Sequence, residues 1–107
     1  MRLVLVVLLL LLVPAAGASA QDGEGRIQLR DYAETTWQSF VAMTDATSGL
    51  PADILESDGA KSVQTSTTNI GAYMWSAVSA KRLGFISRRE LVGRLSRTIT
   101  TLEGMER

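Results

Sequence analysis

Thr65-Ser66-Thr67-Thr68-Asn69-Ile70-Gly71-Ala72-Tyr73-Met74-Trp75-Ser76-Ala77-Val78-Ser79-Ala80-Lys81-Arg82-Leu83-Gly84 is the stretch that decides how this chain folds. Its hydroxyl-rich entry supplies helix N-caps, and Gly84 supplies a helix stop. The sequence therefore predicts a helix from about Asn69 to Leu83, capped by Thr67 or Thr68. Its charges, Lys81 and Arg82, fall in the last turn, where they complement the helix dipole. Gly71, Ala72, Ser76, Ala77, Ser79 and Ala80 are small, so neighbours can approach this helix closely on more than one side. A helix apolar almost all round reads as an inner helix of a larger assembly.

Helices are expected on both sides of it. Upstream, Leu29, Ala33, Trp37, Phe40 and Val41 recur at helical spacing, with Arg30, Glu34 and Gln38 opposite, which predicts a helix from about Ile27 to Met43. Downstream, Ser87 and Glu90 form a capping box, and Ile86 and Leu91 are spaced as its hydrophobic staple. Leu91, Leu95, Thr98 and Leu102 make one stripe, widened by Val92 and Ile99, with Arg88, Arg89, Arg94 and Arg97 expected to face outwards. The fold class is thus all-α, with three helices. Residues 45–68 form a long connection. Loops of that length are usually functional or disordered, and Leu50, Ile54, Leu55 and Val63 argue against disorder.

The first twenty residues have a different character. Arg2 precedes an unbroken apolar run from Leu3 to Val13, and small residues lead to Ala18-Ser19-Ala20. This is the pattern of a secretory signal peptide over residues 1–20, followed by a flexible lead-in over 21–26 and a helical domain over 27–107. The alternative is an uncleaved anchor, although crossing a bilayer takes about 20 apolar residues. The expected destination is export, either periplasmic or secreted, with membrane attachment only if the leader stays on.

Without Arg2, the eleven basic residues of the chain fall to ten against eleven acidic ones. That balance gives no electrostatic reason to expect nucleic acid. With no histidine and no cysteine, the familiar zinc sites, a histidine-based triad and a disulfide framework are excluded. No P-loop or dinucleotide glycine pattern occurs, the loop carboxylates do not match an EF-hand, and neither a cofactor nor a metal is expected.

Two stretches carry a resemblance. One runs from Trp37 and Phe40 through Thr47-Ser48-Gly49-Leu50-Pro51-Ala52-Asp53. The other runs from Thr65 through Asn69-Ile70-Gly71-Ala72-Tyr73 to Ala80-Lys81-Arg82-Leu83-Gly84-Phe85-Ile86-Ser87 and Arg94-Leu95. Together they resemble the start of the glycoamylase-like domain of bacterial cyclic β-glucan synthases, and a related bacterial family of domains of unknown function. The resemblance implies an α/α toroid of six helical hairpins, of which this chain would hold the first part, with sugar bound at one mouth. It also implies acid/base chemistry on β-linked glucans, which usually needs two carboxyl groups about 5 Å or about 6.5–9.5 Å apart.

By that resemblance Asp53 lines the sugar cleft, whereas Asp45, Glu56 and Asp58 read as solvated or turn-forming carboxylates. Thr67, Thr68 and Asn69 are candidates to present hydroxyl and amide groups to a sugar. One of them is also wanted as an N-cap. Of the aromatic residues, Trp37 lies on the core stripe. Tyr73 and Trp75 are two apart and point in different directions, with Tyr73 the better candidate to face a cleft. No catalytic residue is assigned, because the hairpins that would complete the cleft are not in this sequence. The expected function is a partial glycoamylase-like domain that binds glucan or another polysaccharide without catalysis of its own. The competing reading is a small exported three-helix module whose apolar inner helix docks on a partner protein. A third is a chain cut short at Arg107.

Overall fold

The computed structural model describes the backbone of residues 15–105 and the side chains of residues 22–105. Most of the expected leader therefore lies outside the described residues. Among the described residues there are three helices: α1 (Ala15–Met43), α2 (Thr67–Arg82) and α3 (Arg88–Glu103). The all-α reading holds, and among the described residues extended pairing is confined to two isolated bridges in the loop, Thr44 with Pro51 and Leu55 with Lys61. No described helix is long and apolar enough to cross a membrane.

The chain divides into two units, up to Tyr32 and from Ala33 to Arg107. In the first, the helix runs through residues 21–26, where the sequence predicted a flexible lead-in. Once a helix exists, each added residue gains a backbone hydrogen bond, and this offsets the poor propensity of Gly23 and Gly25. Gln28 Nε2 donates to the Tyr32 hydroxyl one turn on, at 3.1 Å. Leu29 was expected in the core stripe, yet it belongs to this unit and is 68% exposed.

The second unit holds the core. Trp37, Tyr73, Ala77, Ala80 and Ile86 are buried together, with Phe40, Val41, Met74, Phe85, Leu91 and Leu95 packed around them. On α2 the buried residues are Ile70, Tyr73, Ala77 and Ala80, a single face at helical spacing. Trp37 and Tyr73 join α1 to α2, stacked with ring centroids 6.2 Å apart and planes 11° apart. Such a pair contributes about 0.5–1.5 kcal/mol beyond its buried area.

Arg94 was expected to face outwards. Instead its guanidinium lies 5.2 Å from the Trp37 ring centroid, and it is tied to Glu90 by two hydrogen bonds of 3.0 and 2.9 Å. The aliphatic stem and flat head of arginine let it cover an aromatic face while keeping its charge paired. Burial works against its charge, but the Tyr73 hydroxyl and the Glu90 carboxylate outweigh that and hold its pKa above the ordinary value.

The helix ends follow local chemistry. Met43 ends α1 as expected, and Gly84, at φ +80°, follows the last turn of α2. The cap of α2 is Ser66 rather than Thr67 or Thr68: its side chain accepts from Asn69 N, 3.1 Å away. Ser87 caps α3 in the same way through Glu90 N. The return half of that capping box is replaced, because the Glu90 carboxylate is engaged by Arg94.

Candidate functional site

The connection between α1 and α2 is ordered by its own backbone. Asp45 Oδ1 accepts from Thr47 N and Ser48 N, at 3.0 and 2.7 Å, and Gly49 N donates back to Asp45 O. This tight turn is the local use of aspartate that its residue type favours. Hydrogen bonds from the Ser48 backbone and side chain, with help from Lys61, hold the exposed Asp45 carboxyl below its ordinary pKa. Gly49 has φ +71°, open to glycine at no steric cost.

The turn is then clamped from α3. Thr98 Oγ1 donates to Gly49 O at 2.7 Å and Thr101 Oγ1 to Ser48 O at 2.6 Å. With the turn pinned, Pro51 and Ala52 are buried and Asp53 emerges beside them, exposed. Residues 54–62 make a hairpin-like excursion in which Ser62 N donates to Ile54 O and Glu56 N to Ala60 O. Asp58 Oδ1 accepts from Ala60 N, so this carboxylate too serves a local turn.

That excursion brings the chain back beside Asp53, whose N–H donates to Gln64 O at 2.9 Å. Three residues later α2 begins. Asn69 Nδ2 donates to Asp53 Oδ1 at 2.6 Å, across sixteen positions of sequence. Two candidate residues picked from separate stretches are therefore in direct contact. The carboxylate stands at the positive end of the α2 dipole, where negative charge is favoured. Thr67 and Thr68 are exposed in the same first turn and are free of the capping duty that Ser66 performs. Asp53, Asn69, Thr67 and Thr68 thus form one polar, solvent-facing corner.

Tyr73 is not part of that corner. It is 1% exposed and its ring is stacked on Trp37. Trp75, at 76% exposure, is the open aromatic of α2. Beside the corner, a cleft of about 320 Å³ runs between Leu50, Pro51 and Ala52 on one side and the 61–65 segment on the other. Thr65 Oγ1 is buried at its wall without a hydrogen-bond partner. No group of three or more acidic side chains able to hold a metal occurs among the described residues.

The sequence reading missed Ser66 as the cap, the clamping threonines Thr98 and Thr101, and the inward turn of Arg94. Position offered a signal for Thr98 alone, since a hydroxyl on an otherwise apolar stripe needs a buried acceptor.

An all-α unit whose loop and helix end present a carboxylate, an amide and hydroxyls is the class of protein these features define. The chain belongs to the family described as "Protein of unknown function (DUF3131)", whose model matches residues 31–107. It is also 36% identical over 81 residues to the cyclic β-(1,2)-glucan synthase NdvB of Rhizobium meliloti (strain 1021). That match takes in 73% of this chain and 3% of the relative, so the chain spans only a small part of that protein's length. No solved structure matches. The resemblance to cyclic β-glucan synthases and to a family of unknown function is borne out by these matches.

Proposed function

We propose that this chain is an exported, glycan-binding helical module that engages β-linked glucan at the corner built by Asp53, Asn69, Thr67 and Thr68. The observation that carries the reading is the 2.6 Å Asn69–Asp53 hydrogen bond. It fixes a carboxylate and an amide side by side, with exposed threonine hydroxyls in the same helical turn. Sugar hydroxyls both donate and accept, so a carboxylate acceptor next to hydroxyl groups suits them. The relative's printed activity on β-(1,2)-glucan points to that polymer as the first ligand to try.

Asp45 and Asp58 are committed to local turns. Binding without hydrolysis is the behaviour this reading expects. Titrating β-(1,2)-linked glucan oligosaccharides into the full chain, followed by NMR, tests this. Shifts centred on residues 53 and 67–69, weakened by Asp53→Ala and Asn69→Ala, are expected. No shift at millimolar sugar would sink the reading, and measurable hydrolysis would overturn its non-catalytic part. Export rests on the leader pattern, and N-terminal sequencing of secreted or periplasmic material checks it. An N-terminus at Gln21 is the expected result.

One observation favours a second reading, a module that docks on a partner protein. Trp75, Val92 and Ile99 are 76%, 53% and 42% exposed, apolar area that a partner could cover. Concentration-independent monomers with no gain in order on adding candidate partners would count against it.

A further inference from the structure

Residues 89, 93 and 97 lie one turn apart on a single face of α3, and they are Arg89, Gly93 and Arg97. All three line a cleft of about 480 Å³ between α3, the end of α1 and the Asp45 turn. A side chain placed at Gly93 would meet nothing within 4 Å, so the glycine leaves an open notch. The two arginines flank that notch, about 12 Å apart along the helix axis by its rise per residue.

The charges around the cleft do not cancel. Glu90 is engaged by Arg94, and Asp45 uses its carboxylate on Thr47 N and Ser48 N with Lys61 nearby. Among the described residues Arg89 and Arg97 make no ion pair and no side-chain hydrogen bond, and both are exposed. Two features of this face also work against the helix itself. A glycine in a helix interior is unfavourable, and an arginine in the first turn opposes the helix dipole. Local costs gathered at one place mark a functional site more often than a structural one.

We propose that the Arg89–Gly93–Arg97 notch binds an oxyanion group, phosphate or carboxylate, carried by a ligand that enters this cleft. Arginine forks match such groups through paired hydrogen bonds. The site is separate from the Asp53 corner and stands whether or not glucan binds there.

The test compares the thermal melt of the full chain in inorganic phosphate and in sodium chloride at matched ionic strength, with acetate as a carboxylate arm. Phosphate is expected to raise Tm above the chloride value in a saturable way. A response to acetate as well would assign the notch to oxyanions generally, and a response to phosphate alone would assign it to phosphate groups. Arg89→Gln and Arg97→Gln, each checked for native helicity, should weaken the phosphate response about tenfold, as expected for a lost charged hydrogen bond. Gly93→Ala should raise Tm in chloride and reduce the phosphate increment. Equal melts in phosphate, acetate and chloride, or arginine variants that keep the full phosphate response, would overturn the proposal.

Discussion

Gly49→Ala tests whether the loop–helix clamp holds the second unit together. The substitution forces an L side chain to φ +71°, which costs about 1–2 kcal/mol for a residue with a Cβ. The new Cβ would also sit 3.0 Å from Thr98 N, 3.1 Å from Thr98 Oγ1 and 3.2 Å from Arg97 Cγ. Thr98 N is helix backbone and cannot swing aside, so the turn must lift off α3. That displacement strains the 2.7 Å Thr98–Gly49 hydrogen bond, worth about 0.5–1.5 kcal/mol.

Together these effects amount to about 3 kcal/mol, a large share of the stability usual for a small domain. At about 4–8 °C per kcal/mol, Tm should fall by about 12–24 °C in a thermal melt followed by circular dichroism. Gly59→Ala is the control. It has φ +86° but no atom within 4 Å of the added carbon, so only the backbone term remains, about 1–2 kcal/mol. If the two variants lose equal stability, the close approach to α3 contributes nothing and the clamp argument is wrong.

Further outcomes follow from single contacts. Thr98→Val keeps the shape but removes the donor to Gly49 O, and should cost about 1–3 kcal/mol by urea melt; a cost near zero would mean that water replaces the hydroxyl. Ser66→Ala should cost about 1 kcal/mol and Thr67→Ala only a few tenths, because Ser66 alone bonds Asn69 N as the cap; the reverse order would move the start of α2. Trp75 should account for nearly all acrylamide-quenchable fluorescence, since Trp37 is 4% exposed, and a quenchable Trp75→Phe variant would contradict the core. Asp45 has a lowered folded pKa, so its contribution is present above the ordinary value near 3.8 and is lost as pH falls below it. Asp45→Asn should flatten the acid end of the stability profile, and an unchanged profile below pH about 4 would refute this role.

The sequence by itself determined the helical class, the end of α1 at Met43, the stop at Gly84 and the cap at Ser87. Each depends on chemistry within about one turn of chain: apolar spacing, a hydroxyl before a first turn, a glycine after a last one. It also picked out Asp53 and Asn69 as candidates, without showing that they touch. Four hydroxyl residues in a row, Thr65 to Thr68, are all able to cap, and periodicity cannot rank them.

Tertiary structure decided the rest. Ser66 became the cap, Tyr73 turned its face to Trp37, and Arg94 folded inward over the same ring. The turn at Gly49 was pinned by hydroxyls 49 and 53 positions away. These choices hang on which partner lies opposite once α1, α2 and α3 are packed. A side chain that can serve either water or a neighbour settles between them only when burial removes the water.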